Sequence, residues 1–361
     1  MQSLVKILNK KILVIIQRSN GDVFFSWSLI SNLLEFFQGV DIDMLVNEDT
    51  ANIAKTMPNI RRIISFSYER KRAGRFTQER DILRKIFRKY DYSINLTASD
   101  RSVLYAIFAS KYSISAIESS KKKNFWKRFF LKKYYYFSDS RHILENNFMP
   151  LKILNISHKK IVSKIPLESK SLLKIKKLLD LNKIGQFLIF HPAAQYEYKI
   201  YPEDSRLKLL NLLNKLNAKI VITGGSSRND LKIKKCLPKL DNIVDLIGQT
   251  SFEEYMALSE LSIGYIGMDT VNMHIAASQN KKVFAIYGPT NTRMWSPWSN
   301  ITKSAATNTP PLQQYGNITL FQANLNCVPC GKAGCNNLHD ESICLNYIDP
   351  ELIYKKVKES I

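Results

Sequence analysis

The sequence predicts an α/β fold built as two domains. Short apolar runs rich in Ile and Val alternate with longer amphipathic stretches, the rhythm of βα units around buried parallel sheets. The chain has 361 residues, about two domains of ordinary size, and 45% of them are hydrophobic, enough for substantial cores. Intrinsic disorder is excluded.

The first strand is expected at 11–17, where Ile12 to Ile16 form an unbroken apolar run ahead of Gln17 and Arg18. The helix after it follows from periodicity: Phe25, Leu29, Leu33 and Phe37 recur every four residues, with Ile30 and Leu34 beside them, giving one stripe to pack on a sheet. Further strands are expected at 41–46, 62–66, 93–96 and 113–117, then at 187–191, 219–223, 243–246, 261–266 and 283–287. That reads as two five-stranded sheets. The intervening 119–183 region holds basic clusters, a helical pattern near 139–148 and the polar stretch 157–171, which places the boundary near residue 165 and the domains at 1–165 and 166–345, with 346–361 as a terminal helical segment. No internal repeat is visible beyond the shared βα rhythm.

Lys plus Arg number 53 against 31 Asp plus Glu, a net charge of +22, which favours anionic partners such as nucleotides, nucleic acid, phosphorylated glycolipid or a membrane surface. No apolar run approaches the roughly 18 to 20 residues of a membrane span. The N-terminal apolar stretch is short and lacks a small-residue cleavage site, so a cytoplasmic address is expected. Five cysteines, four of them between Cys327 and Cys344, do not make a disulfide framework for a chain of this length.

Polar residues gather where strands end, which is where open α/β sheets place their ligands. After the first strand comes Arg18-Ser19-Asn20-Gly21-Asp22; Asp22 is either a catalytic carboxylate or a cap of the next helix. In the second half, His191-Pro192-Ala193-Ala194 is followed by Lys199, which can reach a diphosphate as a point charge or simply face water. Gly224-Gly225 is either a close-approach loop or an ordinary βα turn. Gly267-Met268-Asp269-Thr270 leads into Val271-Asn272-Met273-His274, so a helix N-terminus and the Thr270 hydroxyl can receive a phosphate, with Asp269 as N-cap in the plainer reading. Gly288-Pro289-Thr290 and Trp295-Ser296-Pro297-Trp298 complete the series. There is no G-x-G-x-x-G, so dinucleotide binding gains little support.

Taken in order, these motifs resemble glycosyltransferase family 9, the ADP-heptose lipopolysaccharide heptosyltransferases, over residues 10 to 350. The resemblance implies a GT-B fold, two Rossmann-like domains facing across a cleft, with acceptor on the first, nucleotide sugar on the second, and the last helix crossing back to the first domain. It makes Asp22 the catalytic base and Lys199, Gly224, Gly225, Met268, Asp269, Thr270 and His274 the donor-binding set. The expected reaction is inverting transfer of heptose from ADP-heptose to a lipopolysaccharide inner-core hydroxyl, with no cofactor and no essential metal, because a lysine and a helix dipole can stabilise the departing diphosphate. Another GT-B enzyme using a different nucleotide sugar is the first alternative. The second is a basic nucleic-acid-binding protein; the clustering of motif residues at strand ends speaks against nucleic acid as a partner.

Arg18, Arg61, Arg62, Arg70 and Arg72 are expected to meet the carboxylates or phosphates of an anionic glycolipid acceptor, the competing reading being a water-facing cluster. Between Lys121 and Tyr136 the chain interleaves seven Lys or Arg with seven aromatic residues, a composition suited to an anionic lipid surface and hence to a peripheral position on the inner face of the bacterial inner membrane. A solvated helix with its aromatics in the core is the alternative. The cysteines form C-x2-C-x4-C-x8-C, four thiolates as in a zinc site but irregularly spaced. Reduced, packed cysteines without metal are expected.

Overall fold

In the computed structural model the described residues are 9–73, 75–120, 124–156, 160–307 and 311–361. Lys121, Lys122 and Lys123, the start of the basic aromatic segment, lie outside them, as does the side chain of Arg72. The chain divides into two compact units, Met1–Pro166 and Leu167–Ile361.

The first unit runs β1 (Lys11–Ile16), α1 (Asn20–Phe36), β2 (Asp41–Asn47), α2 (Ala51–Lys55), β3 (Ile60–Phe66), α3 (Tyr68–Ala73), α4 (Arg75–Ile86), β4 (Tyr92–Asn95), α5 (Asp100–Ala109), β5 (Tyr112–Ile117), α6 (Phe125–Phe130), β6 (Lys133–Tyr136), α7 (Ile143–Asn147) and α8 (Met149–Ile153). Its six strands are all parallel in the order β3-β2-β1-β4-β5-β6, a Rossmann arrangement whose order reverses between β1 and β4. Ile12 sits between Ile42 and Tyr92. Because β1 is covered on both faces, its apolar run is continuous rather than alternating. Phe25, Leu29, Leu33 and Phe37 are all buried, so the periodic stripe of α1 is its packed face.

The second unit runs α9 (Ser169–Leu181), β7 (Phe187–His191), α10 (Glu203–Leu213), β8 (Lys219–Ile222), α11 (Arg228–Lys235), β9 (Ile243–Asp245), α12 (Phe252–Leu261), β10 (Gly264–Met268), α13 (Val271–Ser278), β11 (Lys282–Tyr287), α14 (Thr292–Trp295), β12 (Leu312–Tyr315), β13 (Ile318–Gln322) and α15 (Pro350–Lys358). Its sheet order is β12-β13-β11-β10-β7-β8-β9. Without β12, which pairs antiparallel with β13 at the edge, the remaining six strands repeat the first unit's order. The reversal here falls between β7 and β10.

The two sheets are thus larger than the expected pair of five-stranded ones. β6 is hidden in the basic aromatic segment; it is a strand because Tyr135 packs inward, 5% exposed, beside Ala116 of β5. β12 and β13 form a hairpin across Gly316-Asn317, where Gly316 takes the positive φ of +55° that a two-residue turn needs at its first position. β10 starts later than expected because α12 runs through Leu261. The terminal helix is anchored on α10. Ile353 and Val357 of α15 are buried in one core with Leu209 and Leu213 of α10, Lys208 pairs with Glu351 at 2.8 Å, and the Tyr201 hydroxyl donates to the Ile348 carbonyl. Its apolar face therefore packs in the core of the second unit.

Candidate active site

In the second unit three loops at the carboxyl ends of adjacent strands meet on one carboxylate. Lys199, from the loop after β7, places Nζ 2.6 Å from Oδ2 of Asp269, which directly follows β10. The Thr290 hydroxyl, after β11, donates to the same oxygen at 2.7 Å. Burial opposes the charge on Asp269, but the Lys199 ammonium outweighs it, helped by the Thr290 hydroxyl and His274, and holds the carboxyl below its ordinary range. Burial likewise opposes the charge on Lys199, and Asp269 reverses the effect and raises its pKa. Both groups are ionised at neutral pH. Close approach of the two strand ends requires Gly267, since a Cβ there would lie 2.4 Å from the His191 carbonyl oxygen.

Thr270, not Asp269, is the N-cap of α13, and its side chain makes no capping bond. The first N–H groups of α13 thus lack a side-chain acceptor beside a lysine, an arrangement that suits an anion. His274 lies one turn into the helix and is buried. Met268 is fully buried among Ile266, Phe284 and Ile286; it is a core residue and its side chain is withdrawn from the expected donor-binding set. The Gly224-Gly225 turn is pressed against Asp230, whose Oδ1 would be 2.7 Å from a Cβ at Gly224. Asp230 closes a capping box with Ser227 at the start of α11, so these glycines first of all make a tight βα turn possible.

His191, at the end of β7, has Nδ1 3.0 Å from the Thr223 hydroxyl, and the Asn272 side-chain nitrogen lies 2.9 and 3.0 Å from its two ring nitrogens. Burial pushes its pKa down to about 4, the nearby charge of Asp230 opposing, so the ring is neutral at pH 7. Thr290 and Asn272 stand in the strand-end motifs read from the sequence but not in the expected donor-binding set; their partners, Asp269 and His191, come from neighbouring strand ends that sequence spacing does not reveal.

In the first unit the equivalent position holds Asp22. Ser19 is the N-cap of α1 and Asp22 its third helical residue, in a capping box: the Ser19 hydroxyl donates to Oδ2 at 2.5 Å and the Ser19 N–H at 3.3 Å. Oδ1 lies 2.7 Å from Nε of Arg18, whose guanidinium stands over the Phe137 ring at 4.9 Å. Asp22 is thus a helix cap and, at the same time, a 3%-exposed carboxylate at the carboxyl edge of the sheet. Arg101, at the start of α5 on that edge, lies 3.7 Å over the Phe66 ring and donates to the Tyr68 hydroxyl at 3.1 Å. It too was unexpected.

The remaining arginines fall elsewhere. Arg61 and Arg62 begin β3, at the amino edge of the sheet, and both bind the buried Asp43 of β2: Arg61 with Nε and Nη2 at 2.9 Å each, Arg62 with Nη2 at 2.9 Å. The Tyr90 hydroxyl is a third residue donating to Asp43, at 2.6 Å. Burial opposes ionisation of Asp43, but hydrogen bonds from Arg61 and Tyr90 and the charges of both arginines hold its pKa low; Tyr90 is pushed up to about 12 by burial and by Asp43. These two arginines neutralise a buried acid on the edge opposite to Asp22, with their own side chains partly exposed. Arg70 is exposed and pairs loosely with Glu48 at 3.5 Å.

Cys327, Cys330 and Cys335 are exposed and Cys344 buried, all as free thiols. Burial, with the neighbouring cysteines, pushes Cys344 up to about 11. Among the described residues no group of three or more His, Cys, Asp or Glu is disposed to hold a metal ion, and no helix is long and apolar enough to cross a membrane.

Known proteins supply the class. The model of glycosyltransferase family 9 (heptosyltransferase) matches residues 80–332. The chain is 27% identical over 294 residues, 78% of its length and 83% of the relative's, to lipopolysaccharide heptosyltransferase 3 of Escherichia coli K12. Two solved structures share its fold: a glycosyl transferase family 9 protein of Veillonella parvula (TM-score 0.76, 17% identity, 98% of each chain) and E. coli heptosyltransferase WaaC with ADP (TM-score 0.70, 16% identity, 97% of this chain and 100% of the other). With a family match over most of its length and paired Rossmann-like units of GT-B type, the chain belongs to glycosyltransferase family 9, the heptosyltransferases, and is a glycosyltransferase.

Proposed function

We propose that this enzyme transfers heptose from ADP-heptose to a hydroxyl of a lipopolysaccharide inner-core acceptor, with inversion at the anomeric carbon. The Asp22 carboxylate takes the acceptor proton as the hydroxyl oxygen bonds to the anomeric carbon. The bond from that carbon to the diphosphate breaks, and ADP leaves with the electron pair. Lys199 and the N-terminus of α13 at Thr270 stabilise the charge growing on the diphosphate. No metal is assigned to the transfer.

The observation that carries the reading is the Lys199–Asp269–Thr290 cluster, at the reversal point of the second sheet and beside a helix start without a side-chain cap. Lys199 has three donors and Asp269 accepts from one, which leaves a fixed ammonium for an anion. Names of relatives point the same way: one similar structure is of WaaC with ADP-2-deoxy-2-fluoro heptose. On the acceptor side, Arg18, expected from the sequence, and Arg101 are basic groups on the edge of Asp22, whereas Arg61 and Arg62 lie on the opposite edge. The test is a thermal-shift panel of nucleotide sugars followed by mass analysis of the acceptor; a ligand at 100 times its Kd stabilises by about 2.7 kcal/mol. Stabilisation by ADP-heptose and a heptose mass increment support the proposal. A response only to another nucleotide sugar would move the donor assignment.

A further inference from the structure

We propose that α6 docks this enzyme on an anionic lipid bilayer, with the side chains of Phe125, Phe129 and Phe130 entering the boundary between headgroups and acyl chains. The three rings are 76%, 76% and 60% exposed, within six residues. Large apolar side chains concentrated on one short solvent-facing element mark an interaction surface. They are outside because the other side of α6 is already fixed: Trp126 packs against Val103, Ile117 and Leu131, and Lys127 is buried with its ammonium 3.0 Å from the Ala98 carbonyl and 2.7 Å from Asp100.

Charge selects the occupant. Arg128, Lys132 and Lys133 are exposed around the rings, and no Asp or Glu occurs from Ser119 to Ser138. A second copy of the chain, meeting this face through a twofold axis, would bring like charges together, whereas phosphate headgroups meet aromatic and basic side chains in complementary fashion. Lys127, which composition alone would count among the lipid-facing cations, is excluded because it is itself buried and paired with Asp100. Phenylalanines therefore dominate the contact and the surrounding cations assist. The docking face also shares an edge with Asp22: Ala98, in the loop after β4, and Asp100, at the start of α5, hold Lys127, and β4 neighbours β1. The purpose of such docking, bringing that edge to a lipid-borne acceptor, rests on the proposed function; the docking itself does not.

The test is flotation of the full-length protein with phosphatidylglycerol-containing vesicles and with pure phosphatidylcholine vesicles, in the absence of donor and acceptor. The parent should bind the anionic vesicles. The combined variant Phe125→Ser, Phe129→Ser and Phe130→Ser should bind about tenfold or more weakly, with an unchanged melting temperature and unchanged ADP binding. Each single Phe→Ser variant, at a position outside the core, should fold and lose binding by a smaller factor, so a poorly folding triple variant still leaves a decisive series. Sedimentation of parent and variants checks the competing occupant. Failure of the parent to bind, equal binding by every variant, or conversion of a dimer to a monomer with vesicle binding intact would each overturn the proposal. Absence of sugar transfer would overturn only the proposed function.

Discussion

The two units share a strand order but furnish its reversal point differently. After β1, the carboxylate of Asp22 turns back on its own helix, so the N-terminus of α1 is already occupied by a negative group. After β10, the carboxylate of Asp269 turns away from the helix toward Lys199 and Thr290, and the N-terminus of α13 has no side-chain cap. Topology decides where a ligand can sit; the direction of one carboxylate decides which charge is welcome there. In the proposed reaction the first position therefore suits a base beside a neutral hydroxyl, and the second a diphosphate.

The largest expected effect breaks the first half of that contrast. Asp22→Asn keeps size and much of the hydrogen bonding but removes the base, and turnover should fall by about 10² or more in a steady-state assay; near-normal turnover would return Asp22 to a purely capping role. Next, Asp269→Asn removes the partner of a largely buried lysine. Because about a quarter of the Lys199 side chain remains exposed, the cost should be near the low end for such pairs, about 2 kcal/mol, read as a lower melting temperature together with weaker ADP binding.

The Asp43 cluster supplies a control on the opposite edge. Asp43→Asn should lower stability by about 1 to 3 kcal/mol at pH 7 and leave kcat per folded molecule unchanged. Since the folded carboxyl titrates below its unfolded value, its contribution is present above roughly pH 4 and is lost as the pH falls through the folded pKa. Melting curves of parent and variant should accordingly converge in acid. Loss of kcat in the variant would restore Arg61 and Arg62 to an acceptor role. The smallest effect is expected from metal removal: chelator treatment should leave turnover unchanged, and a chelator-sensitive enzyme would bring the four clustered cysteines into the mechanism.

How much of this was legible in the sequence differs by element. Strands β1, β2, β7 and β11 announce themselves as short, mostly apolar runs because they are buried on both faces. β6 does not, because KYYY carries the same composition as a surface segment and becomes a strand only by pairing with β5. The hairpin of β12 and β13 was marked by Gly316-Asn317 and could have been found. At the site, the positions of Asp22, Lys199, Asp269, Asn272 and Thr290 follow from strand ends, whereas the pairing of Thr290 with Asp269 and of Asn272 with His191 depends on adjacency of strands far apart in sequence. Arg61 and Arg62 misled because charge alone does not say whether a cation faces water; Asp43, an acid inside the apolar strand DIDMLVN, was the sign that a buried partner was needed.

The most direct test of the division between the two units is calorimetric titration of ADP into the parent, Asp22→Asn and Lys199→Ala under identical buffer and salt. With the anion site in the second unit alone, Asp22→Asn should keep the parent's Kd, and Lys199→Ala should weaken binding by about tenfold or more, the loss of one charge-assisted contact. Unchanged affinity in Lys199→Ala, or a loss confined to Asp22→Asn, would contradict the account.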